Sequence, residues 1–113
     1  MLLHKNEYPE WFEYPSEFEL LIDQNLLDFD PWIILTGDRL KKRFFGLKER
    51  YPSRDLVPFA RREDNDDLAC WEKGKEVVVI HDFASSGNER GESSISFWSW
   101  FRQVIEDMIE HNS

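Results

Sequence analysis

The sequence predicts an α+β domain: a mainly antiparallel sheet of about four to five strands flanked by helices. Two observations carry this reading. Apolar residues recur at helical spacing in three segments, around Phe18–Leu27, Leu40–Tyr51 and Phe97–Met108. Between the second and third lie short apolar runs, Leu56–Ala60, Leu68–Glu72 and Val77–Phe83, bounded by Asp, Asn, Gly and Pro. Lys73-Gly74-Lys75 between the last two runs reads as a hairpin turn, which makes its strands antiparallel.

Residues 1–15 are rich in Tyr, Trp, Phe and Pro without a period, and read as an extended arm packed on the body of a single domain spanning 1–113. Ser16 followed by Glu19 fits a capping box at the start of the first helix. Phe18, Leu21 and Ile22 form its apolar stripe, Leu26, Leu27 and Phe29 continue the burial, and Pro31 is expected to stop it. Trp32–Leu35 is a short strand candidate ended by Thr36-Gly37. A second helix follows from Asp38 to Arg50, capped by Thr36 or Asp38. Leu40, Phe44, Leu47 and Tyr51 make its buried face, so its lysines and arginines are expected mostly in solvent, pairing with acids of the same molecule. Val77–Ile80 is apolar on both faces, as in a central strand. The small, polar loop Ala84–Ser94 is expected to be the most mobile internal segment. The last helix should start near Ser94–Ser96 and bury Phe97, Phe101, Val104, Ile105 and Met108. Trp98 and Trp100 fall roughly 200° apart on it, so one serves the core and the other the arm or a partner.

Composition narrows the function classes. Seventeen aromatic residues in 113 supply a core without staples. Cys70 is the single cysteine, so no internal disulfide forms and a reducing cytoplasm is the expected setting. No apolar run has the length of a signal peptide or a membrane span. The net charge of −9 is uneven: Arg39–Arg62 holds nine Lys or Arg against Glu49 and Asp55, which is +7, and the remainder is −16. A protein partner with a charged surface suits such polarity, whereas nucleic acid would be repelled by all but the basic segment.

The stretch from Leu56 to Trp71 is the most informative. It reads as strand, turn, strand, with Glu63, Asp64, Asp66 and Asp67 crowded into the turn around Asn65. Such a turn must lie in water or meet a cation or a basic partner. Calcium of the EF-hand kind does not fit, because counting from Asp64 the fifth position is Leu68 and no glycine follows at the sixth. A metal held by Asp66 and Asp67 in a small enzyme is the alternative, but no phosphate-cradling glycine loop accompanies it. Cys70 with His81 and Asp82 suggests a nucleophile, yet neighbours on a strand point to opposite faces, and Cys70 lies in an apolar run. The histidines and the cysteine lack metal-ligand spacing, and Ser85-Ser86-Gly87 lacks the context of a hydrolase serine. No catalytic residue, metal or cofactor is therefore assigned. The residues assigned to partner binding are Glu63, Asp64, Asp66, Asp67, Trp71 and Glu89.

From Trp32 to Ile109 the order of motifs resembles the SUKH superfamily of Smi/Knr-type domains. The residues that carry the resemblance are the early helix with its following Pro31, Leu56-Val57-Pro58-Phe59-Ala60, Asn65-Asp66-Asp67, Leu68-Ala69-Cys70-Trp71, and the closing Phe97-Trp98 with Trp100-Phe101. In that family a Leu-x-Pro-Phe strand leads into an acidic turn and an aromatic helix closes the fold. The resemblance implies a binding module without a reaction of its own: in the bacterial branch an immunity protein that neutralises a nuclease or deaminase toxin, and in the fungal branch a regulatory protein-interaction domain. It also implies that Asp66 bonds to nearby backbone amides and fixes the turn.

Overall fold

The computed structural model describes residues 2–82 and 94–113. Its elements are α1 (Ser16–Asp23), β1 (Asp28–Phe29), β2 (Trp32–Ile34), α2 (Gly37–Arg50), β3 (Leu56–Arg62), β4 (Asp67–Glu72), β5 (Val77–His81) and α3 (Phe97–Asn112). The five strands form one antiparallel sheet in the order β1-β2-β3-β4-β5. This is the α+β architecture and strand number expected from the sequence. No described helix is long and apolar enough to cross a membrane.

Register sorts the side chains onto two faces. Val57 pairs with Trp71, and Trp71 with Val77, on the face that meets the arm, α1 and α3. Pro58, Cys70 and Val78 are paired on the opposite face, and α2 packs on β3. A register shift between Pro58 and Ala60 leaves Phe59 as the extra residue of a bulge. Phe59 stacks on Trp71 at 4.1 Å and meets Trp100 edge-on at 4.7 Å. The bulge accommodates Pro58, which has no N–H to give to the ladder of an interior strand.

Several boundaries differ from the sequence expectation. No capping box forms at α1: Pro15 is the N-cap, and the Ser16 hydroxyl donates to Glu17 instead, at 3.1 Å. The helix ends at Asp23, well before Pro31. Asn25 adopts φ 56°, its N–H donates to Ile22, and the Leu26 N–H donates to Leu21. These bonds satisfy the last carbonyls in a Schellman motif, so the helix needs no proline to stop it. Leu26 is consequently 40 % exposed rather than buried, and Asp28–Phe29 pairs with Trp32–Ile33 across a cis Asp30–Pro31 turn. At α2, Thr36 is the N-cap without a side-chain bond, and Gly37 supplies a positive φ of 59°.

The Val77–Ile80 run is not a central strand: among the described strands β5 is an edge. Val77, Val78 and Ile80 are nonetheless buried. At Val77 the outer side is closed by reciprocal 2.9 Å bonds with the backbone of Ile95. The strand ends at His81. Phe83, the Ser85-Ser86-Gly87 stretch, Glu89 and most of the 84–94 loop lie outside the described residues.

α3 starts as its sequence suggests, with the Ser96 hydroxyl accepting from the Ser99 N–H at 3.2 Å. The two tryptophans separate as the helical angle requires, Trp100 at 2 % exposure and Trp98 at 43 %. The arm is part of the core. Leu3 and Phe12 are buried, Phe12 packs 5.2 Å from Trp71, and Tyr14 stacks on Phe18. Burial pushes the Tyr14 hydroxyl up to about 12, and this hydroxyl accepts a bond from the Leu3 N–H.

Candidate functional site

The β3–β4 turn is held at every position but its tip. The Glu63 N–H donates to the Pro31 carbonyl at 2.8 Å, tying the turn to the neighbouring hairpin. Asn65 Oδ1 accepts from the Asp67 N–H at 3.0 Å, an Asx turn, while its amide donates to Asp67 Oδ2 at 3.3 Å. Asp66 takes the left-handed conformation at φ 62°, which Asp tolerates better than most residues. Arg62 makes a fork to Asp64, at 2.7 and 3.3 Å, and reaches Asp107 of α3 at 3.3 Å. The hydrogen bond to Asp64 is the main reason that the Arg62 pKa is raised above its ordinary value.

This geometry divides the acidic residues. Glu63, Asp64 and Asp66 are exposed. Asp67, assigned to the same surface by the sequence, is only 7 % exposed. As the first residue of β4 it faces His81 across the ladder, with Oδ1 3.4 Å from Nδ1. Asp67 is therefore a brace of the turn rather than part of its outward surface. The residue whose side chain holds the turn backbone is Asn65, whereas the resemblance gave that role to Asp66. Asp66 and Asp67 lie on opposite sides of the burial boundary, and among the described residues no group of three or more His, Cys, Asp or Glu is placed to hold a metal ion.

Trp71, also assigned to a partner surface, is 5 % exposed. Its place on β4 turns it into the aromatic cluster with Phe12, Phe18, Phe59 and Phe97. It also lines a groove of about 710 Å3 between the arm and the β4–β5 turn. Glu89 is outside the described residues.

Cys70 and His81 are on opposite faces of the sheet, Cys70 paired with Val78 and His81 with Asp67. They cannot exchange a proton there. Burial pushes the Cys70 thiol well above its ordinary pKa, with the Asp82 charge adding to the effect. A thiol so held is core, not nucleophile.

Asp82, considered in the sequence only beside His81, has a role that sequence reasoning missed, as the centre of a buried charge cluster. It is 1 % exposed, yet Arg43 Nη1 lies at 2.8 Å, Arg50 Nε and Nη2 at 3.0 and 2.8 Å, and the Tyr51 hydroxyl at 3.4 Å. The basic side chains of α2 are solvated only in part, because Arg43 and Arg50 turn inward to pair with this acid of the same chain. These two are seven residues apart, two helical turns, so they share a face. That spacing, with an acid immediately after an apolar strand, was the available signal. Arg54 likewise makes a fork to Glu72, at 2.8 Å for each bond, and this bonding is the main cause that lowers the Glu72 pKa.

No protein-family model, curated protein or solved structure matches the chain.

Proposed function

We propose that the chain is a protein-binding module of the immunity type, which neutralises a toxin domain of nuclease or deaminase kind by covering its basic active site. One observation carries the reading: three carboxylates, Glu63, Asp64 and Asp66, stand exposed on a turn whose backbone is fixed by Asn65, Asp67 and the Glu63–Pro31 bond. Acidic groups at fixed spacing complement a site built to hold phosphates, and their field speeds encounter with it. A rigid turn also loses little conformational freedom on docking, which favours affinity. The resemblance to SUKH domains points the same way, and the cytoplasm of the protected cell is the setting it implies. The chain then has no reaction of its own.

The experiment is co-expression with the toxin domain encoded beside this chain. The toxin alone should stop growth, and the chain should restore it. A Glu63→Lys, Asp64→Lys, Asp66→Lys variant with an unchanged melting temperature should fail to protect. Full protection by that variant would remove the turn from the interface. A neighbouring product without toxicity would remove the immunity reading.

A further inference from the structure

The basic segment that the acidic-turn reading does not use resolves into two groups of side chains. Of the nine Lys and Arg between Arg39 and Arg62, six have partners: Arg43 and Arg50 at Asp82, Arg54 at Glu72, Arg62 at Asp64 and Asp107, Lys41 at Glu7, and Lys48 over the rings of Phe44 and Phe45. Three remain, Arg39, Lys42 and Arg61, for which no ion pair is found among the described residues. All three line one cavity of about 240 Å3 between α2 and β3, whose wall also includes Arg43, Leu35 and Glu63.

A second observation concerns the same cavity. The Arg61 Nε is buried and has no hydrogen-bond acceptor. A buried guanidinium donor left unpaired is costly, and the great majority of such groups find a partner. Arginine presents its donors as a planar fork that matches oxyanions, and lysine adds a mobile point charge. The cavity is smaller than the roughly 300–1,000 Å3 that encloses drug-sized ligands, so a compact ion fits it.

We propose that Arg39, Lys42 and Arg61 form a binding site for a tetrahedral dianionic oxyanion, a phosphoryl group carried either by inorganic phosphate or by a nucleoside monophosphate. Arg61 lines the cavity wall, and its unpaired Nε, closed off from solvent, reaches the ion when the guanidinium swings toward the cavity. Arg39 and Lys42, exposed on the first turns of α2, close over the ion from the solvent side. Arg43 adds positive potential while its Nη1 stays on Asp82. Glu63 opposes the ion and limits its affinity. This site is independent of the toxin-binding reading, and the two make opposite demands on Glu63.

The test is calorimetry on the intact chain with inorganic phosphate, with adenosine monophosphate and, at matched ionic strength, with chloride. It is paired with NMR of the Arg61 Nε–Hε resonance. Saturable one-to-one binding of phosphate with a shift of that resonance is expected, and chloride should give neither. Tighter binding of the nucleotide would assign the site to a monoester, and equal binding would assign it to the free ion; either supports the site. Because Arg61 is partly buried, the test of residues rests on the exposed pair. Arg39→Ala with Lys42→Ala should weaken binding by about tenfold or more while the fold is retained. Glu63→Gln should tighten it. No saturable binding, a response equal to that of chloride, or full affinity in the double variant would overturn the proposal.

Discussion

The buried cluster around Asp82 and the exposed turn between β3 and β4 handle the same chemistry in opposite ways. Asp82 is 1 % exposed and draws Arg43, Arg50 and Tyr51 around one carboxylate. The turn carries three exposed carboxylates, of which Asp64 is paired with Arg62 at the surface. Removing a charge from water costs several kcal/mol, so a buried acid persists only when fully ligated. Exposed acids meet no such requirement, and their pairing contributes little. The lesson is that the chain's most acidic segment is not where its acids matter most for folding. Charge that stabilises is inside, and charge available for recognition is outside.

The largest test of that contrast is Asp82→Ala, which strands two guanidinium groups around an apolar side chain. It should cost about 3–5 kcal/mol in chemical denaturation. A loss below about 1 kcal/mol would place the cluster in the same class as the surface pairs. Next is the brace of the turn. Asn65→Ala removes the acceptor for the Asp67 N–H and should cost about 1 kcal/mol, with faster hydrogen exchange at that amide. Unchanged exchange would show that the turn does not depend on its Asx bond.

Titration separates paired from exposed acids without a large change in fold. The Glu72 pKa lies below its ordinary value of 4.5, chiefly because Arg54 hydrogen-bonds to the carboxylate. Its contribution is therefore fully present above about that pH and lost as pH falls through the lowered folded value. Glu72→Gln should flatten the acid limb of the stability curve. The alkaline limb has the opposite sign. Tyr14 is raised from 10.0 to about 12, so its neutral form favours the fold below pH 10.0, and that stability is lost as pH rises toward 12. Tyr14→Phe should flatten that limb. The smallest effect belongs to the tip of the turn, where Glu63→Gln with Asp66→Asn should leave stability within about 0.5 kcal/mol.

Most of the architecture was legible because it rests on local signals. The four-three-four spacing of Leu40, Phe44, Leu47 and Tyr51, the turn-bounded apolar runs of β3 and β4, and the Ser96 cap all act within a few residues. The failures were non-local or depended on competing local signals. Asn25 ended α1 through a left-handed turn while Pro31, the more obvious breaker, became part of a hairpin. The apolar β5 lay at the sheet edge because Ile95, eighteen residues beyond Val77, covers it there. In the site, the exposure of Glu63, Asp64 and Asp66 followed from mutual repulsion. The inward direction of Asp67 did not, since it depends on strand register against His81. Trp71 was misplaced for the same reason: an aromatic residue beside an acidic turn can face either side of a sheet, and register alone decides.

The central claim is that the exposed turn, and not the buried charge, is what a partner recognises. The direct measurement is the association rate of the chain with the proposed toxin partner, by stopped flow across a series of salt concentrations. The comparison is with the Glu63→Gln, Asp64→Asn, Asp66→Asn variant. The account predicts a wild-type rate that falls steeply as salt rises, and a variant that is about tenfold slower at low salt and nearly insensitive to it. Equal rates and equal salt slopes for the two proteins would contradict it.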